Sequence, residues 1–342
     1  MKKTIALTGL FIFLQITITS CQTTTMETEK FEWLPGVGAP KGYPVEIYSG
    51  DFYNGNTWVS IPNGGILEEG WGADGMTMAV GEDFKPIPER FKITYLSFIE
   101  NQFYTGEFAF PHDSVVALFK EEFNNSPYNP KESFRSIVLG FAPGGMIVIW
   151  LRSSERQIEI GRYQATKTDM DWEFFNPQGE EDRNKYVNGV LERRPETLKH
   201  KKEGVEFGLW DSYRIKYNWR PKIELKENSR LHEVFLIQFN AEFEHITKEK
   251  LSINAFLKRA IPHDILFRYY DAAGNKFAGE YFFDEKEIFN AYKEIYKNNP
   301  DQEVEFVFEL SADKTKFIIY LKNATEQIEL LKCRGKINRS SD

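Results

Sequence analysis

The chemistry-bearing residues of this 342-residue chain are few: five histidines, two cysteines, seven tryptophans and two glutamates in matching contexts. His112, His200, His232, His245 and His263 stand far apart, and none falls in a His-Glu-x-x-His or similar ligand spacing, so the sequence points to no metal and no cofactor. No Gly-x-Ser-x-Gly elbow occurs, and Cys333 sits near the C-terminus without a local signature, which leaves nucleophilic hydrolysis without positive support. Glu107 and Glu280 occupy matching places and invite comparison with the two carboxylates of a glycosidase. Strand alternation turns each away from the face that carries Phe108 or Tyr281, so both read as solvated strand glutamates, and no catalytic residue is assigned. The indoles of Trp58, Trp71 and Trp150 can stack on apolar sugar faces and are the candidate ligand-binding residues, with Tyr104 more remote. Gly70-x-Gly72-x-x-Gly75 fits a dinucleotide fingerprint only formally. Met76 to Val80 follows it and alternates like a strand, where that fingerprint requires a helix.

Composition narrows the partners. Formal net charge is −8, and −10 without Lys2 and Lys3; Lys199-His200-Lys201-Lys202 is a single short basic cluster. A nucleic-acid partner, which calls for a basic stripe, is not expected. With 29 Phe and 16 Tyr the chain can build substantial cores, and its length favours two domains.

The N-terminus reads as an address. Lys2 and Lys3 precede an apolar stretch from Thr4 to Ile18 that is too short to span a bilayer, and Ile18-Thr19-Ser20-Cys21 resembles the bacterial lipobox. That resemblance implies cleavage before Cys21 and acylation of its thiol and new amine, so the membrane would be reached through lipid on Cys21. Gln22 follows the cysteine, as in proteins sent on to an outer membrane, with the face left open. If lipid consumes Cys21, Cys333 has no disulfide partner.

An internal repeat organises the remainder. Tyr104-Thr105-Gly106-Glu107-Phe108-Ala109-Phe110 reads against Phe277-Ala278-Gly279-Glu280-Tyr281-Phe282-Phe283, with the Gly-Glu pairs 173 residues apart. Phe91 to Ile99 and Phe103 to Phe110 predict a hairpin; Val116, Phe119 and Phe123 predict the buried stripe of a helix stopped by Ser126-Pro127-Tyr128-Asn129-Pro130. Ser136 to Phe141, Met146 to Leu151 and Gln157 to Tyr163 predict three further strands. The second copy has strands over Ile265 to Tyr270 and Lys276 to Phe283. A helix follows, with an Asp284/Glu287 capping box and an Ile288, Tyr292, Ile295 stripe, and then Val304 to Leu310 alternates in and out. The expected fold is α+β, two related β-β-α-β-β-β units, each an antiparallel sheet with one helix packed on it. The expected division is a signal over 1–20, a polar tether over 21–30, a first unit over 31–166, a charged linker or insertion over 167–204, a second unit over 205–334 and a frayed tail from Gly335.

Phe31-Glu32-Trp33, the run from Ala39-Pro40-Lys41-Gly42-Tyr43-Pro44 through Glu46, Gly50, and Phe103-Tyr104-Thr105-Gly106 resemble the DUF2931 lipoproteins, a family of unknown function. The resemblance is clearest from Phe31 to about Ile160; it carries no catalytic residue over and implies a cell-envelope protein. The leading expectation is a non-enzymatic binding or interaction module. The alternatives are a glycan binder or hydrolase acting on envelope polysaccharide, and a protein that neutralises a secreted toxin through an acidic loop at Asp169 to Asp182.

Cys21→Ser is expected to abolish lipidation. Mass spectrometry of the mature N-terminus checks it, and a wild-type chain found unmodified or starting elsewhere would contradict the anchor.

Overall fold

The structure is a computed structural model and describes residues 28–122 and 132–339. Cys21, the signal segment, most of the tether, Phe123 and the helix stop at 126–130 lie outside the described residues.

The first half contains β1 (Lys30–Glu32), β2 (Leu34–Gly38), β3 (Val45–Asn54), β4 (Thr57–Ser60), β5 (Ile66–Leu67), β6 (Met76–Thr77) and β7 (Phe84–Pro86). It continues through β8 (Arg90–Ser97), β9 (Gln102–Ala109), α1 (His112–Lys120), β10 (Ser136–Ala142), β11 (Met146–Arg152), β12 (Arg156–Gln164) and β13 (Thr166–Thr168). Four helices follow: α2 (Trp172–Phe175), α3 (Arg183–Glu192), α4 (Pro195–Glu203) and α5 (Leu209–Tyr213). The second half runs β14 (Tyr217–Glu224), β15 (Arg230–Gln238), β16 (Phe243–Ile246), α6 (Lys248–Ile253), β17 (Leu257–Arg259), β18 (Pro262–Tyr270) and β19 (Lys276–Phe282). It ends with α7 (Glu285–Ile295), β20 (Val304–Leu310), β21 (Phe317–Lys322), β22 (Gln327–Glu329) and β23 (Arg334–Arg339).

The fold is a sheet-rich mixture of strands and helices with open sheets. The strand order β23-β19-β18-β15-β16-β12-β11-β10-β2-β6 makes one ten-stranded sheet that crosses both halves. A second sheet, β13-β9-β8-β3-β4 with β5 also on β3, belongs to the first half, and a third, β17-β14-β20-β21-β22, to the second. One antiparallel sheet per unit, the expectation from sequence, is therefore corrected. Each half divides its strands between the ten-stranded sheet and a sheet of its own, with β1 and β7 of the first half in a separate two-stranded pair, and both halves contain a parallel pair, β2 beside β10 and β14 beside β20. The partners in these pairs are about 100 and 80 residues apart, a distance over which local alternation carries no information.

The β10–β11 hairpin holds the centre. Ile137, Leu139, Phe141, Ile147, Ile149 and Leu151 face the first core, with Phe52, Phe91 and Tyr95 of the first-half sheet. Val138, Val148 and Trp150 point the other way into the second core, with Phe267, Phe306, Phe308 and Tyr292. Strands buried on both faces need continuous apolar runs, and the two strands supply them.

Local details depart from expectation in four places. The buried residues of α1 are Val115 and Phe119, while Val116 is only partly covered and packs at the edge of the same core. Asp284 caps α7 by accepting from the Glu287 N–H at 3.0 Å. The Glu287 carboxylate, however, accepts from the Leu331 and Lys332 N–H groups, so only half of the capping box forms. The charged stretch after Lys167 folds: Asp171 and Asp182 cap α2 and α3, and Val187, Val190 and Leu191 pack with Leu96, Phe98 and Phe103 in a third apolar cluster. From Gly335 the chain is not frayed as far as Arg339, since β23 pairs with β19 along its length; main-chain pairing on a free sheet edge does not require apolar side chains.

Phe119→Ala and Tyr292→Ala are each expected to remove about 3–5 kcal/mol from the core that each occupies. Because β10 and β11 line both cores, Trp33 in the first and Trp219 in the second are expected to change fluorescence in one shared transition. Two separated transitions would show that the halves melt independently.

Candidate functional site

A cleft of about 840 Å³ opens where the two halves meet. Its walls come from the Pro40–Tyr43 and Gly70–Ala73 loops, from α4 and α5, from the turn between β15 and β16, and from the first residue of α7.

Each wall has a local reason for its position. Pro40 and Pro44 bar a helix, and Gly42 takes φ +76°, a left-handed value that glycine adopts at little cost. A Cβ at Gly42 would lie 2.8 Å from the His200 ring and 3.0 Å from Glu196 Cγ, so the loop and α4 approach as closely as glycine allows. Pro195 opens α4 and Gly204 ends it, which sets Glu196 and His200 one turn apart on the face towards the loop. The His200 ring stacks on Tyr43 at 4.5 Å, and Trp210 meets Tyr43 edge-on at 5.0 Å. Tyr213, one turn along α5, packs on Phe239 and donates its hydroxyl hydrogen to Glu285 at 2.8 Å.

The floor is where the halves join. β12 and β16 pair through only two residues each, Arg156 with Glu244 and Gln157 with Phe243. Side chains complete the seam: Gln157 Nε2 donates to Gly72 O at 3.0 Å and to Ala241 O at 2.7 Å, and Trp150 Nε1 donates to Asn240 O at 3.0 Å. Gly72, at φ +69°, lies so close to the second half that a Cβ there would meet Ala241 Cβ at 2.1 Å. His245 lies between Glu155 of the first half and Glu233 of the second, with its Nε2 3.0 Å from Glu233.

The electrostatics of the wall are acidic. The Tyr43 hydroxyl is pushed above its ordinary pKa, first by burial and then by Glu206, Glu285, Glu196 and Glu203. The Tyr213 hydroxyl is also raised, again first by burial and then by Glu285. Three carboxylates at the cleft have partners of their own: Glu285 accepts from Tyr213, Glu244 pairs with Arg259, and Asp264 pairs with His263.

The sequence candidates fare unequally. Trp71 and Trp150 meet edge-on at 4.8 Å, and Trp71 lines the cleft while Trp150, fully buried, lies beneath it. Trp58 is 67% exposed on β4, where it pairs across the strand with Tyr53, and takes no part in the cleft. Tyr104 is buried and donates to Glu100 at 2.7 Å. Glu107 forms an exposed ion pair with Arg90, and Glu280 lies on β19 of the other half; the two do not converge. Tyr43, Glu196, His200, Trp210, Tyr213 and Glu285 were not legible as a set, since they come from four separate stretches. The nearest signal is Leu209-Trp210-x-x-Tyr213, an apolar patch just after the most charged part of the chain.

Residues 20–208 match the family model described as a protein of unknown function, DUF2931, over more than half of the chain. The chain belongs to the DUF2931 family. No curated protein and no solved structure matches it. The DUF2931 match covers the Pro40–Tyr43 and Gly70–Ala73 walls and α4, and ends just before Trp210, so the second-half wall of the cleft lies beyond it.

Gly72→Val would force a branched side chain into a left-handed position and against Ala241. A loss of about 2 kcal/mol or more is expected, read as a lower midpoint in chemical denaturation. An unchanged midpoint would show that the two turns are not in contact.

Proposed function

We propose that this DUF2931 member is a lipid-anchored protein of the bacterial envelope, held through Cys21 at the outer membrane, that binds a ligand in the junction cleft without transforming it. We further propose that its body consists of two related units, 31–166 and 205–334, joined by the helical segment between them. Matching pairing supports the two-unit reading: β13-β9-β8-β3-β4 has the same order of elements as β23-β19-β18-β15-β16, and β12-β11-β10-β2-β6 the same as β22-β21-β20-β14-β17. The duplicated Gly106-Glu107 and Gly279-Glu280 fall on corresponding strands, β9 and β19.

The observation that carries the binding reading is the wall of packed rings. Tyr43, Trp71, Trp210 and Tyr213 face the cleft and are held by ring contacts to one another or to core neighbours, so the surface is preformed. Preformed apolar walls with a few polar groups are the usual make-up of a ligand site. Chemistry would need an acid and a base free to exchange protons with a substrate. Of the four carboxylates in the lining, Glu285, Glu244 and Asp264 hold Tyr213, Arg259 and His263 in place, and Glu196 alone does not make an acid–base pair.

Equilibrium dialysis of the mature chain against a peptidoglycan digest and against N-acetylglucosamine oligomers, read by mass spectrometry, tests this. Retention of an unchanged compound by the wild type and its loss in Trp71→Ala are expected. Accumulation of a cleaved or altered product over many turnovers would make the protein an enzyme instead.

A further inference from the structure

We infer that the outer edges of β4 and β22 join copies of this chain head to tail, Trp58 of one copy pairing with Gln327 of the next as Phe243 pairs with Gln157 within the chain. The inference rests on the two-unit reading and gives the repeat a use.

Cross-strand register fixes the equivalence residue by residue. On β11 and β12, Trp150, Leu151 and Arg152 stand opposite Glu159, Ile158 and Gln157. On β21 and β22, Tyr320, Leu321 and Lys322 stand opposite Glu329, Ile328 and Gln327. Every residue of the second set lies 170 positions after its counterpart, so Gln327 holds the place of Gln157. The duplicated Gly-Glu pairs anchor the other sheets. Phe108 and Tyr281 follow those pairs and lie opposite Phe91 and Ile265, which in turn lie opposite Phe52 and Leu236. Phe52 faces Val59 on β4, and Leu236 faces Glu244 on β16. One step towards each turn, Tyr53 faces Trp58 and Ile237 faces Phe243. Trp58 therefore holds the place of Phe243, and Val59 that of Glu244.

The seam inside the chain pairs β16 of the second half with β12 of the first, Gln157 with Phe243 and Arg156 with Glu244. The counterparts of these strands, β4 and β22, each end a sheet and have no strand on their outer side among the described residues. The chain thus forms the contact once and leaves one complementary pair of edges open. Unpaired N–H and C=O groups along an edge are a template for another strand. β4 and β22 belong to different sheets and do not meet, so the partner for each is the other edge on a second copy. The two edges differ, which makes the contact heterologous and its product a ring or an open row.

The side chains suit the contact. Trp58 is 67% exposed, and a large apolar ring left in water on a free edge marks an interaction surface when a complementary edge is to hand. Gln327 is exposed, with no hydrogen-bond partner for its side chain among the described residues, whereas Gln157 at the seam donates to Gly72 and Ala241. Edges of four and three residues are short, but the seam itself pairs only two residues from each strand.

The test places thiols where this register puts residues opposite each other, in a full mature chain whose Cys21 and Cys333 are replaced by serine. Val59→Cys combined with Glu326→Cys is expected to give covalent dimers and higher multiples under mild oxidation. Chains carrying either cysteine alone are expected to stay unlinked, and an equal mixture of the two to stop at dimers. Arg156→Cys with Glu244→Cys occupies the matching positions of the seam and is expected to close within one chain. Sedimentation equilibrium of the unsubstituted chain, from about 10 to about 500 µM, is expected to show a mass rising with concentration, as suits a small contact. Trp58→Ser changes an exposed ring, so the fold is retained, and is expected to weaken that association about tenfold or more. Dimers from Val59→Cys alone as readily as from the mixture, a monomer over the whole range, or association indifferent to Trp58→Ser would each overturn the inference. Closure of the seam pair with no link between chains overturns it too and leaves the two-unit reading standing. A seam pair that does not close removes the strand pairing on which both rest.

Discussion

The whole architecture depends on two strands that are buried on both faces. β10 and β11 alternate their side chains between the two cores, so neither core closes without them. A two-faced strand cannot use a polar residue on either side, which is why Ile137–Ala142 and Met146–Leu151 carry scarcely one. The single interruption is Gly140, and it has a steric cause. A Cβ there would lie 2.5 Å from the Trp150 ring and 3.0 Å from Trp71, so the missing side chain makes the slot in which the two indoles meet. Core packing and the floor of the cleft are thus consequences of one hairpin.

What could be read from the sequence follows the range of the interactions. The β8–β9 hairpin, α7 with its Ile288, Tyr292 and Ile295 stripe, and the outline of β20 are local patterns, and periodicity finds them. Their surroundings are not local. Alternation along β20 turns Val307 outward, yet it is fully buried, because β20 lies between β14 and β21 inside the third sheet. The same limit applied to the site. Trp58 and Trp71 look alike as exposed-loop or strand indoles, and only the fold distinguishes an edge strand from the wall of a cleft. Charge misleads in a further way: the stretch after Lys167 is dense in acids, but two of them act as helix caps, which is local hydrogen bonding and not a solvated face.

The cleft inherits its shape from the seam between the halves. Two residues of pairing between β12 and β16 leave the halves free to hinge, since so short a ladder resists rotation weakly. The side chains around it remove that freedom. Gln157 ties the Gly72 loop to the Ala241 turn, Trp150 holds Asn240, and Arg214 and Lys216 grip Glu159 and Glu242 from the segment that follows α5. Glu159 is buried enough that desolvation raises its pKa even against Arg214, whose own side chain stays 34% exposed.

The position of α4 and α5 completes this argument. They connect the two halves in sequence, and they also cover the mouth of the seam, with His200 on Tyr43 and Trp210 against Trp71. A connector that only had to span the distance could be polar and extended, as the charge of this segment first suggests. This one places Trp210 and Tyr213 both in the second core and in the lining of the cleft. Its ring contacts therefore do two things at once: they anchor the connector, and they fix one wall of the cleft. Any shift of α5 that opened the cleft would have to pull Trp210 from the core, where it is 2% exposed. Burying an aromatic side chain of that size contributes several kcal/mol, on the order of 3–5 if truncation to alanine is the measure. The walls of the cleft are thus held at a fixed separation by apolar burial.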